Sequence, residues 1–438
     1  MRKTVCVLAA VLCLFSLLPV FAAAEPAEFP AADTAGALYM LHLESGRVVG
    51  RKNETDRRAA GASVKLLSGL VACEWLGDML DETVTVEEKM IADSSGKRFG
   101  LRAGDSFTWR EMLLLAICGS YNDAYDVIAY RIGNGSAVGK SNFVDLLNTR
   151  AKELGATATM VGDPSGVADN SYTSAYDLSV LARAAAENEL YLYFAGLRRG
   201  ELSTGDTVWN RNSLITGTTL GSVTCAGMCV GETSNAGVTL VTLVQKGNDS
   251  YLLILMDTVD ANGEASESAT NSLAAKLVRW AYANYINTEV LSPETVVCTL
   301  PVTVSDLVDT VNVRPSESLW AYLPAGCEVG VDVLLSIRLS VDSLEAPVRT
   351  GTPVGFVAAV YQGEIIGTVP LETAQDAERS GFMSRLLSIK NLTKSRRAKA
   401  GVVFFLVCMT VWIGGGAYLK YRRKAKWHQY YSSKSKWK

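Results

Sequence analysis

Residues 57–76 read RRAAGASVKLLSGLVACEWL, and the apolar positions from Ala62 to Trp75 fit a buried helix with Lys65 near its start. A lysine held out of water in this way can serve as a base. Serine acyl transfer without histidine uses such a lysine one helical turn after the attacking serine, because positions i and i+3 share a face. Histidine chemistry is scarce here. The chain has two histidines and His428 lies in a basic C-terminal tail, which leaves His42. A Ser-His-Asp triad and a histidine-rich zinc site are therefore excluded. One turn before Lys65, however, stands Ala62, with no hydroxyl to activate. Ser63 is two residues from the lysine, about 200° round a helix, on the opposite face. Ser68 is on the C-terminal side and one turn deeper.

Two further stretches complement a lysine base. Ser120 and Asn122 form a Ser-x-Asn pair in SYNDAYDVIAYRIG, and the polar groups of such a pair hold a proton network and a substrate amide. CVGETSNAG begins at Cys229, with Gly231 and Thr233 inside it. A Lys-Thr-Gly strand at this place adds a cation for a substrate carboxylate and an edge to pair with. CVGETSNAG carries neither a lysine nor a threonine before its first glycine, Gly231. A thiol at 229 replaces the carboxylate-binding cation rather than the attacking serine, and reads as a small apolar strand residue.

The elements that must position these residues alternate in type. ALYMLHLESGRVV reads as a strand turning at Ser45-Gly46, and AGVTLVTLVQKGNDSYLLILMD as two apolar strands with a turn at Gly247-Asn248. TVTVEE is a short strand. Helical patterns cover WREMLLLAICGSYNDAYDVIAYRIGNG, broken at Gly119 and Ser120, then KSNFVDLLNTRAKELGA, YDLSVLARAAAEN and SLAAKLVRWAYANYI. Helices enclosed by strand blocks from both ends predict one α+β domain whose sheet joins distant parts of the chain. GNGSAVGK lacks the spacing of a phosphate loop and reads as a turn between helices. After about residue 290 the helical period disappears, and Val, Thr and Leu with Gly and Pro punctuation predict a small all-β domain ending near Leu371.

Composition bounds the rest. The 438 residues are 48% hydrophobic and 20% charged, with net charge −3, which suits globular domains and gives no electrostatic case for a nucleic-acid partner. Arg2 and Lys3, an apolar run from Val5 to Phe21, and AAAE predict a signal peptide over residues 1–24, cut after Ala24. Residues 400–419 carry no charge, and twenty residues at about 1.5 Å each match a bilayer core of about 30 Å. The basic tail 420–438 is then cytoplasmic and the bulk of the chain exported. An amphipathic, basic linker, 373–399, containing ERSGFMSRLLSIKNL, leads to this span. Cys73, Cys118, Cys225, Cys229, Cys298 and Cys327 would lie outside the cytoplasm, in no metal-binding pattern, and no metal or cofactor is expected.

The order of these motifs resembles the low-molecular-mass D-alanyl-D-alanine carboxypeptidases of peptidase family S11, the penicillin-binding-protein type, over about residues 35–372. DRRAAGASVKLL sits where that family has Arg-Arg and then Pro-Ala-Ser-x-Thr-Lys. SYNDA resembles its Ser-Gly-Asn-Asp-Ala, and LGATATMVGDPSGVADNSYTSAYDLSVLA is similar to its long signature. WNRNSLI and CVGETSNAG stand where it has Asn-x-Asn-x-Leu and Lys-Thr-Gly-x-Thr-x-x-Ala-Gly. The resemblance implies a transpeptidase-like (β-lactamase-like) domain over 25–288 and a β-rich accessory domain over 289–372. It makes Lys65, Ser120 and Asn122 remnants of the catalytic set, and Cys229, Gly231 and Thr233 the substrate-binding strand. Tyr121 fills a position that family usually gives to glycine. With Ala62 at the nucleophile position, the expectation is a membrane-anchored, single-pass extracytoplasmic pseudoenzyme. Its partners would be peptidoglycan stem peptides or a cell-wall enzyme; the alternative is an active hydrolase with an unanticipated nucleophile.

Overall fold

The computed structural model describes residues 28–135, 138–216, 220–305, 307–381 and 396–434. The expected signal peptide and most of the expected amphipathic linker helix lie outside the described residues. Two compact units are present: residues 1–288 with 322–328, and residues 289–321 with 329–438.

The first unit is built on a five-stranded antiparallel sheet. Its strands are β1 (Ala35–His42), β2 (Val48–Lys52), β3 (Thr224–Thr233), β4 (Gly237–Lys246) and β5 (Asp249–Thr258), in the spatial order β2-β1-β5-β4-β3. β1 pairs with β5, Ala37 opposite Met256, so the sheet does join distant parts of the chain. Both faces are covered, and the period of two divides β5 between two cores. Tyr251, Leu253 and Leu255 pack on one side with Leu273, Leu277 and Val278 of the C-terminal helix Glu267–Asn284. Leu252, Ile254 and Met256 pack on the other side with the helical layer.

That layer surrounds helix α1 (Val64–Leu76), which is buried except for Glu74 and Trp75. A helix that is apolar all round belongs inside a layer rather than on its surface. A 3₁₀ turn, Gly61–Ser63, leads into it, so the α-helix starts two residues later than its apolar pattern indicates. The expected break at Gly119–Ser120 is present: a π turn, Leu114–Cys118, ends before helix α2 (Asn122–Ile132). Helices α3 (Gly139–Leu154), α4 (Ala175–Glu187) and α5 (Glu189–Gly196) complete the layer. The 133–140 segment joins α2 to α3, and its Lys140 pairs with Asp126 at 3.2 Å.

The second unit holds a six-stranded sheet of β6 (Cys298–Thr303), β7 (Thr310–Pro315), β8 (Val333–Leu339), β9 (Leu344–Glu345), β10 (Pro353–Tyr361) and β11 (Glu364–Thr373). The spatial order is β8-β10-β11-β7-β6-β9, with the β6–β9 pair parallel and the others antiparallel. Leu300, Val311, Val313, Val357, Val369 and Leu371 form its buried positions. Helix Arg396–Lys434 contains a 22-residue stretch, Val403–Lys424, long and apolar enough to cross a membrane, overlapping the expected span. Among the described residues no cysteine forms a disulfide.

Candidate active site

Lys65 enters the layer in the first turn of α1 and is 6% exposed. Its ammonium donates to the Ser120 carbonyl oxygen at 2.8 Å and to Ser120 Oγ at 3.0 Å. Ser120 offers both acceptors to one cation because its φ is +57°, a left-handed backbone that non-glycine residues rarely adopt. The pairing follows from the break between the π turn and α2: the chain reverses there and turns two oxygens inward. Burial holds the Lys65 pKa down at about 8, and the nearby charges of Lys97 and Arg211 lower it further, while the Cys229 thiol and Asp163 act in the opposite sense.

Asn122 lies next to this pair but does not share it. Its Nδ2 donates to Ser95 O at 2.7 Å, and its backbone N–H to Lys97 O at 2.7 Å, so it holds the 95–97 loop against the start of α2. Its Oδ1 is buried with no hydrogen-bond partner among the described residues, although the side chain lines the cleft. Asp123 fastens the same loop further along, accepting from the N–H groups of Phe99, Gly100 and Leu101 at 2.7–3.0 Å. The Tyr121 ring turns away toward Phe99, 5.5 Å between centroids, and is not among the residues lining the cleft.

β3 forms the opposite wall. Gly231 approaches the 3₁₀ turn so closely that a Cβ there would lie 2.2 Å from the Ala62 Cβ. Glycine at 231 is thus a packing requirement of the helix–strand approach. Cys229 is buried and donates its thiol to Ala62 O at 3.4 Å. Burial pushes that thiol up to about 11, so it is protonated and weakly nucleophilic. Thr233 lines the cleft and caps its own turn, accepting from Ala236 N at 3.2 Å. Val230 packs on the far side of the sheet.

The other serines of the α1 region are engaged elsewhere. Ser63 Oγ donates to Ala60 O at 2.6 Å and Ser68 Oγ to Pro164 O at 2.7 Å, and both residues are buried. His42 stacks on Tyr322 with centroids 3.6 Å apart and is absent from the cleft lining.

The cleft between the two walls has a volume of about 260 Å³ and is lined by Ala62, Lys65, Ser120, Asn122, Gly231 and Thr233, among others. The cleft therefore brings together Ala62, Lys65, Ser120, Asn122, Gly231 and Thr233 of the positions assigned to catalysis or substrate binding, while Cys229 is buried in the strand beneath and borders a chamber of about 10 Å³ beside Lys65. Two cations in the lining went unrecognised in the sequence, Lys97 and Arg211. Arg211 lies inside WNRNSLI, whose asparagines pin the turn: Asn210 Nδ2 reaches Ala195 O and Leu197 O, and Asn212 Oδ1 accepts from Leu214 N. Lys97 sits in a polar loop with no periodicity to mark it. Asp163, in the long GDPSG segment, accepts from Ser165 Oγ and from the N–H groups of Ser165, Val167 and Ala168, and so shapes the third side of the cleft.

Known proteins share this fold. The family model for D-alanyl-D-alanine carboxypeptidases, peptidase S11, matches residues 22–260. The chain is 26% identical over 392 residues to the Escherichia coli D-alanyl-D-alanine carboxypeptidase DacD, covering 87% of this chain and 97% of that one. It is 25% identical over 364 residues to Bacillus subtilis DacF, covering 81% and 89%. Among solved structures, the Francisella tularensis D-alanyl-D-alanine carboxypeptidase DacD superposes with a TM-score of 0.60 at 20% identity, covering 81% of this chain and 96% of that one. Penicillin-binding protein 5 of Haemophilus influenzae superposes at 0.57 and 22%, covering 79% and 98%. A sheet closed by β1 and β5, a central helix that carries Lys65, and a family match over more than half the sequence agree: this chain belongs to the peptidase S11 family of D-alanyl-D-alanine carboxypeptidases.

Proposed function

We propose that this protein acts in peptidoglycan metabolism as a membrane-anchored, extracytoplasmic member of its family that binds stem-peptide ends, or a cell-wall enzyme, without forming an acyl-enzyme. One observation carries the reading. The Lys65–Ser120 pair and an open cleft are in place, but the group one turn before the lysine is the Ala62 methyl, packed against Gly231. Loss of the attacking group costs on the order of 10⁶ in turnover, which residual binding effects do not recover. In this reading residues 25–288 form the binding domain, 289–372 a β-rich spacer, and the C-terminal helix the anchor.

The rival is a hydrolase with another nucleophile, and the geometry offers one, Ser120 Oγ at 3.0 Å from Lys65 Nζ. Its protonation state argues against it. With a pKa of about 8, Lys65 is mainly an ammonium at pH 7, and its donors are directed at the oxygen whose proton it would have to remove.

The deciding experiment treats the detergent-solubilised full-length protein with a penicillin and measures intact mass, alongside D-alanine release from a pentapeptide analogue. We expect neither an adduct nor free D-alanine. A stable adduct overturns the reading, and peptide mapping then names the nucleophile. Protease treatment of wall-stripped cells is expected to digest the region before about residue 396 and spare the basic tail; a digested tail overturns the topology.

A further inference from the structure

The cleft is more cationic than its damaged strand suggests. Cys229 occupies the place at which a strand lysine would meet a substrate carboxylate, yet three cations still line the cavity or its floor: Lys65, Lys97 and Arg211. They differ in what is left of their charge. Lys65 is buried and spends its donors on Ser120. Arg211 forms an ion pair with Glu267, which neutralises it locally. Lys97 donates to the Gly119 carbonyl at 2.7 Å and lies over the Tyr121 ring, 4.7 Å from its centroid, with no carboxylate at ion-pair distance among the described residues. A carbonyl and a ring face orient an ammonium without neutralising it.

Its position is fixed from both sides. Asn122 and Asp123 tie the loop that carries Lys97 to the start of α2. Tyr121, the bulky residue between Ser120 and Asn122, supports the ammonium from below. The same cavity is lined by Ser165, Thr233, Ser234 and the acidic Glu232, and by Asn122, whose buried Oδ1 has no hydrogen-bond partner among the described residues and is an acceptor suited to a peptide N–H. A cation with free charge, several hydroxyls and an orphan amide acceptor in a cavity of about 260 Å³ fit the carboxylate end of a short peptide.

We propose that Lys97 is the carboxylate-recognition residue of this cleft, a cation supplied from the loop in place of the one absent from β3, so that the site selects peptides ending in a free carboxylate. The proposal rests on the binding reading given above. Tyr121 then acts as a positioning residue for Lys97.

The test is calorimetric titration of the full-length protein in detergent with diacetyl-Lys-D-Ala-D-Ala and with its C-terminal amide. The expected result is binding of the acid at least about tenfold tighter than the amide, equal weak binding of the two to Lys97→Met, and recovery of the preference in Lys97→Arg. A Lys97→Met protein that still prefers the acid overturns the assignment while leaving the binding reading intact, and Arg211→Gln would then identify the cation. If neither peptide binds the unaltered protein, the binding reading fails, and the assignment with it. The near-ultraviolet circular dichroism of each variant guards against misfolding, and an unchanged spectrum makes the binding result decisive.

Discussion

The two walls of the cleft are built differently. On the helix wall the polar geometry persists: a buried lysine, two Ser120 acceptors at 2.8 and 3.0 Å, and a left-handed residue that holds them in place. On the strand wall the contacts are close packing, with the Cys229 thiol buried against Ala62 O and Val230 in the second core. The difference follows from what each wall needs in order to stay folded. A buried ammonium must be hydrogen-bonded, so keeping Lys65 obliges the chain to keep Ser120 in its unusual backbone. A small thiol on a strand needs only neighbours of the right volume, and nothing forces its polar context to persist.

Rebuilding both walls is the strongest way to break this comparison. Ala62→Ser with Cys229→Lys and Val230→Thr should give a protein that takes a penicillin label, as read by intact mass, where the unaltered protein is expected to take none. The strand change has an obstacle. Lysine at 229 must place a four-carbon stem beside Tyr125, Tyr191 and Met228, where the neighbouring chamber holds about 10 Å³, and overpacking of this kind costs about 1–3 kcal/mol. A folded triple variant that stays unlabelled would show that the helix wall, too, has lost its function.

Next in size is the cost of the buried ammonium. The Lys65 pKa falls from 10.5 in the unfolded chain to about 8 in the fold. Between those values the unfolded chain binds more protons, so this group makes stability rise as pH increases from 8 to 10.5. Below pH 8 the full cost applies, on the order of 3 kcal/mol. Lys65→Met should therefore raise the Tm at pH 7, and the gain over the unaltered protein should disappear by about pH 10.5. A gain that does not vary with pH would mean that burial of charge is not the cause.

The wall-to-wall contact is tested by Gly231→Ala. Its methyl would meet the Ala62 Cβ at 2.2 Å, backbone must move, and a loss of about 1–3 kcal/mol in denaturant unfolding is expected. Unchanged stability would show that the walls can separate freely. The smallest effect concerns Cys229 itself. With its thiol held near 11 by burial, it should resist iodoacetamide in the native protein at pH 8 and react after denaturation. Rapid native alkylation would return it to the list of reactive groups.

Much of this was readable from residue order. Two apolar runs joined by the Gly247-Asn248 turn located β4 and β5, the apolar positions from Ala62 to Trp75 located α1, and Gly119–Ser120 marked a real interruption. These signals are local, arising from side chains a few residues apart on one element. The 3₁₀ entry at Gly61–Ser63 was not readable, because Gly231 of β3 and Ala236 of the β3–β4 turn, both far along the chain, press on it. Nor was it readable that Asn122 Nδ2 donates to Ser95 O, since loop 95–97 folds back over the start of α2 and supplies that acceptor.

By itself, the sequence determined the identity of the groups: that position 62 has no hydroxyl, that 229 carries no charge, and that a lysine follows Ala62 by three residues. These are properties of residue type and spacing, and no folding alters them. Tertiary structure alone decided the state of those groups. Burial in the helical layer sets the Lys65 proton near neutrality, the left-handed backbone at Ser120 turns two oxygens toward it, and a loop fastened by Asp123 brings Lys97 into the cleft. Solvation and through-space charge depend on which distant segments come within a few ångströms, and that information is spread over contacts that no short stretch of sequence contains.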